Sequence, residues 1–314
     1  MSSKNIFPFP KITKVDMQRQ RSMIKKIIKL KNGNIAVASY GAVISIWNPN
    51  KKIIVQAWRS KGGVWDLIEL DNEDLIAICN QENYISVYKY DEDEDSYQDF
   101  QNVKWNGIIS DLIKLNNNKF VFGTMHNIIS FWEMENNGKY KKEKDIQLER
   151  KSNCDCIYCF IKISNGNFIS TALATVNLID ANSIKVIKSI RFSEPSCSYE
   201  DSKKHIWIGN SPGLILIVDS ELNQLKELEA HRMQVNKFVE YNNNIISAST
   251  DFKMKIWDST SFECLHTVDG YGEITAICLF DEKCLISAQG ILQTEDIEDY
   301  DEDDLLQFLV FYEN

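Results

Sequence analysis

Short apolar runs separated by polar turns fill this chain, and they recur as a cassette. A polar turn leads into an apolar strand, a second turn follows, and a further strand ends in an aromatic or aliphatic pair, often with an acid. The apolar strand begins near Asn34, Asp74, Lys119, Asn167, His205, Asn244 and Lys283, reading NIAVAS, DLIAIC, KFVFGT, NFISTA, HIWIGN, NIISAS and KCLISA. The steps between these starts are about 40, 45, 48, 38, 39 and 39 residues, a period in the range of four-stranded blades. Each cassette holds more than one strand signal. In the second, VWDLIEL (64–70) alternates as a half-buried strand does, the turn DNE leads to DLIAIC, and QEN leads to YISVYKY. The third gives ISDLIKL, KFVFGT and NIISFWEM, and the sixth VNKFVEY, IISAS and KMKIWD. Between cassettes lie segments of outer-strand character: IIVQAW (53–58), DIQLER (145–150), IKVIKSIR (184–191), QLKELE (224–229) and ECLHTV (263–268).

Four strands per repeat, called a to d from the inside outwards, and seven repeats predict an all-β fold. It is a seven-bladed β-propeller of four-stranded antiparallel blades rather than a helical solenoid or a leucine-rich horseshoe. A lone blade cannot bury both faces, so stacked neighbours supply the core. The seventh cassette provides ITAICLF (274–280), CLISAQ (284–289) and LLQFLVFYE (305–313) and then the chain ends. The segment FPKITKV (9–15) has no other employment, so it is expected to supply strand d of the last blade and close the propeller, which also removes a sheet edge. The expected organisation is one domain, 1–314. Blade 1 spans 24–58, blade 2 64–105, blade 3 109–150, blade 4 157–191, blade 5 195–229, blade 6 235–268 and blade 7 274–313, with 9–15 added to the last.

The sixth repeat, ELEAHRMQVNKFVEYNNNIISASTDFKMKIWD (227–258), resembles the WD-repeat family, and the resemblance extends over essentially the whole chain. It implies a structural tetrad in which a histidine before strand a, a serine or threonine on strand b, an aspartate in the b–c turn and the strand-c tryptophan bond together. The matching positions are His231, Ser249 (or Ser247), Asp251 and Trp257. Buried indole and imidazole N–H groups need partners, and a carboxylate fixes the histidine tautomer. The other repeats depart from the pattern. Trp47 and Trp132 keep the strand-c tryptophan, whereas Tyr88, Ile179, Val218 and Phe311 replace it. Gly41, Glu82 and His126 stand at the b–c aspartate position in the first three repeats. The fifth repeat has a poor strand a, near PSCSYED (195–201).

Composition narrows the function classes. The apolar content of 44% suits a packed globular protein. Asparagines take many turn positions that glycine would otherwise fill, since asparagine tolerates left-handed backbone. No long apolar run marks a membrane span, and MSSKNIFPFPKITK lacks a secretory core. The eight cysteines are therefore expected to be reduced, mostly buried thiols, and the location cytoplasmic, with the nucleus left open. A formal net charge of −10 opposes general binding to nucleic acid or anionic membranes. Charge is uneven, however. Residues 1–31 carry nine bases, Lys4 to Lys31, against Asp16 alone, while Asp91–Asp95 and Glu295–Asp304 are acidic.

Catalytic motifs are absent: no phosphate loop, metalloprotease helix or nucleophile elbow appears. Cys154, Cys156 and Cys159 have a spacing that could ligate zinc, but strand alternation separates Cys159 from the other two, so no metal and no cofactor are expected. Sixteen residues lie between Ala288 and Leu305, and eight are acidic: Glu295, Asp296, Glu298, Asp299, Asp301, Glu302, Asp303 and Asp304. Such a run reads as a disordered, soluble loop or as a charge-steered contact, since the fold would set it beside the basic stretch from Arg19 to Lys26, as a weak, salt-screened latch.

The same top rim, where b–c turns and d–a connections emerge, is where propellers of the resembled family commonly bind peptides. By alignment the residue just inside each strand a is Lys25, Trp65, Ser110, Tyr158, Asn236 or Thr275, with no assignment in repeat five, and Arg232 adds rim charge. Trp65 and Tyr158 could serve as aromatic anchors or as inter-blade packing, and Trp58 and Trp105 as anchors or edge packing. The expected function is a non-enzymatic scaffold or adaptor that binds protein or peptide partners on this top face, as a monomeric propeller within a larger complex. No F-box, RING, coiled-coil or helical domain is expected beside the repeats, so any catalytic or tethering function is expected to come from a partner. The alternatives are a phosphoinositide-binding propeller using the basic N-terminal stretch, without the paired arginines of such propellers, and an enzyme with its site in the channel, for which no convergent titratable set is apparent.

Overall fold

The apolar strands of the seven cassettes form the second strand of seven four-stranded antiparallel sheets. The structure is a computed structural model that describes residues 11–17, 22–80, 82–116, 118–148, 157–183, 185–292 and 305–313. In strands a to d, blade 1 is Ile24–Lys29, Ile35–Ser39, Val43–Asn48 and Ile53–Arg59, and blade 2 is Val64–Glu69, Leu75–Cys79, Tyr84–Asp91 and Ser96–Lys104. Blade 3 is Ile109–Asn116, Lys119–Thr124, Ile128–Met134 and Tyr140–Gln147, and blade 4 is Cys159–Lys162, Phe168–Ala172, Thr175–Ile179 and Val186–Arg191. Blade 5 is Pro195–Glu200, Ile206–Asn210, Leu214–Val218 and Gln224–Glu229, and blade 6 is Val235–Tyr241, Asn244–Ser249, Lys253–Asp258 and Cys264–Asp269. Blade 7 takes Glu273–Asp281, Cys284–Leu292 and Leu305–Glu313 from one end of the chain and its strand d, Lys11–Asp16, from the other. The register of that last pairing runs from Lys11 opposite Glu313 to Asp16 opposite Phe308. This is the fold class of a seven-bladed β-propeller, closed by the N-terminal strand.

Burial follows strand order within each blade. Strand b is buried on both faces, as in Leu75–Cys79 and Ile206–Asn210, whereas strand d is mostly exposed, as in Ile53–Arg59 and Gln224–Glu229. Both-face burial explains why strand b reads as a continuous apolar run and strand a as an alternating one. Asparagine supplies left-handed turns at Asn83, Asn127, Asn242 and Asn243.

Contacts group the chain into two compact units. The contiguous unit, residues 30–195, packs blade on blade through Ile76, Phe120 and Trp132, and again through Phe131, Phe160 and Phe168. Gly123 permits close approach there, because a Cβ on it would lie 2.5 Å from Ile157 Cγ2. The other unit joins residues 1–29 to 196–314. Its cores gather Trp207, Phe238 and Trp257 between blades 5 and 6, and Met254, Ile277 and Phe308 between blades 6 and 7.

Three sequence assignments need correction. The outer strand of blade 3 begins at Tyr140, not at Asp145. Tyr140 is a buried anchor whose hydroxyl donates to Asp74 Oδ2 at 2.8 Å and whose N–H donates to Gln101 Oε1 at 2.8 Å, so the strand starts where that anchor sits. In blade 7 the tryptophan position belongs to Tyr312 rather than Phe311. Leu285 pairs with Tyr312 as Ile245 pairs with Trp257. The third correction, to the serine of the tetrad, follows from the geometry of blade 6.

Candidate interaction site

The histidine before strand a of blade 6 sits over a chain of hydrogen bonds. His231 Nδ1 lies 3.0 Å from Asp251 Oδ2, its Nε2 lies 2.7 Å from Ser247 Oγ, and Trp257 Nε1 donates to the same Oγ at 2.9 Å. One proton arrangement satisfies every member. Nδ1–H donates to the carboxylate, Nε2 accepts from the serine hydroxyl, and that oxygen accepts from the indole. Burial pushes the His231 imidazolium pKa down against the pull of Asp251, which suits a neutral ring. Burial also pushes the Asp251 carboxyl up, but the Arg232 N–H and His231 outweigh it and hold it below its ordinary value. Ser249 is not in this chain. Its hydroxyl donates to Met233 O at 3.2 Å and accepts from Asp251 N–H at 3.0 Å, so it caps the b–c turn.

Other blades meet the same need differently. In blades 1 and 3 the indole donates to a serine two residues back on its own strand, Trp47 to Ser45 at 2.8 Å and Trp132 to Ser130 at 2.9 Å. In blade 7 the Gln289 amide replaces imidazole, donating to Ser287 Oγ and Tyr312 Oη, each at 2.7 Å, and accepting from Tyr271 N–H at 2.6 Å. In blade 5 the buried Asp201 accepts from Trp207 Nε1 at 2.9 Å and sits 3.1 Å from His205 Nδ1. Sequence reading missed this second group, although an aspartate, a histidine and a tryptophan within seven residues were its signal.

The inner rim is set by bulges. Register in strand a jumps from Val64 to Asp66, from Ile109 to Asp111, from Val235 to Lys237 and from Ile274 to Ala276. The residues passed over are Trp65, Ser110, Asn236 and Thr275. A bulged residue leaves the ladder and its side chain is re-aimed. In the contiguous unit Trp65 is half-buried, edge-on to Tyr40 with centroids 6.2 Å apart. Ser110 turns inward and donates to Gly123 O at 3.0 Å. Tyr158 precedes its strand and donates its N–H to Thr171 O at 2.8 Å. Trp58 stacks on Tyr97 and Trp105 meets Phe122 edge-on, so both pack within their own unit.

In the other unit Asn236 Nδ2 donates to Ile274 O at 2.8 Å, lacing blade 6 to blade 7. Ser196 does the same from blade 5, its Oγ donating to Val235 O at 2.5 Å, and this supplies the rim position that the degenerate fifth repeat hid. Thr275 Oγ1 is buried with no hydrogen-bond partner among the described residues. Burial lowers the Lys25 pKa. Arg232 is exposed and its N–H donates to Asp251 at 3.0 Å.

Two carboxylates beyond the bulges were also missed. Asp66 Oδ2 accepts from Leu112 N–H of the next blade at 2.9 Å, and Asp111 Oδ2 from Phe160 N–H at 2.8 Å. The shared V-W-D-L and I-S-D-L strings carried that signal. The acidic loop from Glu295 to Asp304, Arg19 and Arg21 of the expected latch, and Cys154 and Cys156 lie outside the described residues. Cys159 is buried, and among the described residues no group of three or more His, Cys, Asp or Glu side chains could hold a metal ion. Nor is any helix among them long and apolar enough to cross a membrane.

No protein-family model matches the chain. Over 69 residues it is 39% identical to the WD repeat-containing protein 89 homolog of Dictyostelium discoideum, a match that covers 21% of this chain and 19% of that relative. The chain therefore matches about a fifth of the relative's length. WD-repeat propellers in general are non-enzymatic and mediate protein interactions. Partial likeness to a WD-repeat protein, the tetrad of blade 6 and seven four-stranded blades are consistent with the WD-repeat family.

Proposed function

We propose that the chain is a non-enzymatic scaffold or adaptor that holds a protein or peptide partner on the side of its blades where b–c turns and d–a connections emerge. The observation that carries this reading is the bulge in strand a. It recurs in blades 2, 3, 6 and 7, and in blade 2 it turns a tryptophan out of the ladder beside Tyr40. Half-buried aromatics on rigid strands make interface anchors, because little side-chain entropy is lost on binding. Ser110 and Asn236 are occupied with backbone carbonyls and are assigned to the framework, which leaves Trp65 as the anchor in its unit and Lys25 and Arg232 as the charged contacts in the other. We place the protein in the cytoplasm, as one copy within a larger complex.

The test is affinity purification with the wild type and with Trp65→Ala and Lys25→Glu as separate variants, each shown to melt like the wild type. Loss of the same specific prey with Trp65→Ala supports the reading. Prey unchanged in both variants overturns it and moves binding to another surface.

A further inference from the structure

In five blades the residue just before strand c has a left-handed backbone: Ala42, Asn83, Asn127, Gly213 and Phe252, with φ of 61°, 55°, 60°, 97° and 68°. Glycine and asparagine accept that conformation, whereas a bulky side chain is strained in it. Two other large side chains are left-handed, Leu222 (φ 57°) and Phe262 (φ 60°), and packing offsets their strain. Leu222 is buried, and Phe262 lies edge-on to Trp207 with centroids 5.7 Å apart. Phe252 is instead 49% exposed and makes no ring contact among the described residues. Strain at an exposed aromatic, which buries nothing in return, is a mark of function.

Hydrogen bonds set two more apolar side chains next to this turn. Ser249 Oγ donates to Met233 O at 3.2 Å and Thr250 N–H to Gln234 O at 3.1 Å, which ties the b–c turn to the connection before blade 6. Gly270 N–H donates to Phe252 O at 2.6 Å, which ties it to the connection after blade 6. Met233 in the first connection and Tyr271 in the second are 49% and 47% exposed. Charge accompanies them. A groove of about 480 Å³ is lined by Asp251 and Lys253, the two neighbours of Phe252, and by Glu229, Arg232 and Lys255. Asp251 is occupied by His231 Nδ1–H, Arg232 N–H and Lys253 N–H, and Lys253 pairs with Asp269. That sets Arg232 and Lys255 against Glu229, and Arg232 is the exposed cation beside Met233.

Given partner binding on this face, we propose that Phe252, Met233 and Tyr271 form its anchor in the unit that holds blade 6, and that an extended segment of a partner protein sets a large apolar side chain on them and a carboxylate against Arg232. The apolar contact supplies most of the affinity, and the guanidinium, whose planar fork matches a carboxylate, supplies selectivity.

The probe is a phage-displayed library of random peptides, selected on the full chain. Enriched sequences should pair Leu, Met, Phe or Trp with a nearby Asp or Glu. A fluorescein-labelled synthetic copy of an enriched peptide should bind about tenfold or more weakly to Phe252→Asn and to Arg232→Glu, as loss of an anchor or reversal of a close charge does. Phe252→Asn should also melt no lower than the wild type, because asparagine holds the same turn position in blades 2 and 3. A lower melting temperature would make Phe252 a residue of the fold and overturn the proposal. So would a selection without enrichment, enriched peptides that lack an acid, or an affinity unchanged by Phe252→Asn. Self-association of the chain that Phe252→Asn abolishes would give the patch to a second copy and overturn it as well. Peptides that depend on Trp65 and not on Phe252 would overturn this anchor alone and leave the scaffold reading standing.

Discussion

Ser247 and Ser249 sit two residues apart on one face of one strand, yet only Ser247 reaches the indole. Strand alternation alone cannot separate them. Register does, because Ile245 is the residue opposite Trp257 and Ser247 lies in line with its ring nitrogen. A sequence shows periodicity but not register, which is also why Tyr312 was misread as Phe311. Ser247→Ala should strand the buried indole N–H and the acceptor nitrogen of His231, at a cost of about 1–3 kcal/mol, the scale for unsatisfied buried groups. Ser249→Ala removes a turn cap and should cost less. Urea unfolding of the two variants measures the difference, and equal midpoints would show that the chain of bonds carries no stability. His231 adds a pH dependence. Its folded pKa is depressed, so the unfolded chain takes up the proton first as pH falls below the ordinary value of 6.5. Stability is therefore complete above that pH and declines beneath it as the folded pKa is approached. Midpoints followed from neutral pH downward should drop, and a His231→Asn variant, less stable throughout, should drop less steeply over the same interval.

At the scale of strands, period and burial were legible because strand b is buried on both faces and strand d is not. The outer strand of blade 3 was misplaced because YKKEKDIQ shows no alternation, and its start is fixed by Tyr140 bonding to partners in blade 2. Contacts of that kind, sealed between blades, leave little trace in a single repeat. Asp66 is the clearest example. It is buried, accepts from Leu67 N–H at 2.9 Å within its own strand and from Leu112 N–H at 2.9 Å in the next. Asp66→Ala removes the carboxylate from Leu67 N–H and leaves Leu112 N–H with Asp111 Oδ1 alone, at 3.0 Å, and should cost about 1.5–3 kcal/mol, as hydrogen bonds to charged groups do. Asp66→Asn keeps an acceptor oxygen and should lose less. Chemical denaturation ranks the three proteins, and a variant order with Asn below Ala would refute the lacing role.

The molecule as a whole joins chain ends that are nearly 300 residues apart in sequence, with Thr13 and Glu313 bonded at a separation of 300. One unit is contiguous, residues 30–195, and the other needs both termini. Pairings of such separation are costly to form, because loop closure precedes any gain from contact. Strand d of blade 7 covers the edge of Leu305–Glu313, whose Phe308, Leu309, Val310, Phe311 and Tyr312 are all buried. Lys14 adds a cation over the Phe308 ring, 3.3 Å from its centroid, and the Met17 N–H donates to Gln307 O at 3.0 Å. Removal of residues 1–17 should therefore bare an apolar edge strand and invite aggregation. The expected result is a lower melting temperature, with faster amide exchange appearing first in residues 196–313 and a synthetic peptide of residues 9–17 restoring protection in trans. A truncated chain that melts with the full-length protein would mean that the terminal strand is ornament to blade 7 and not its fourth member.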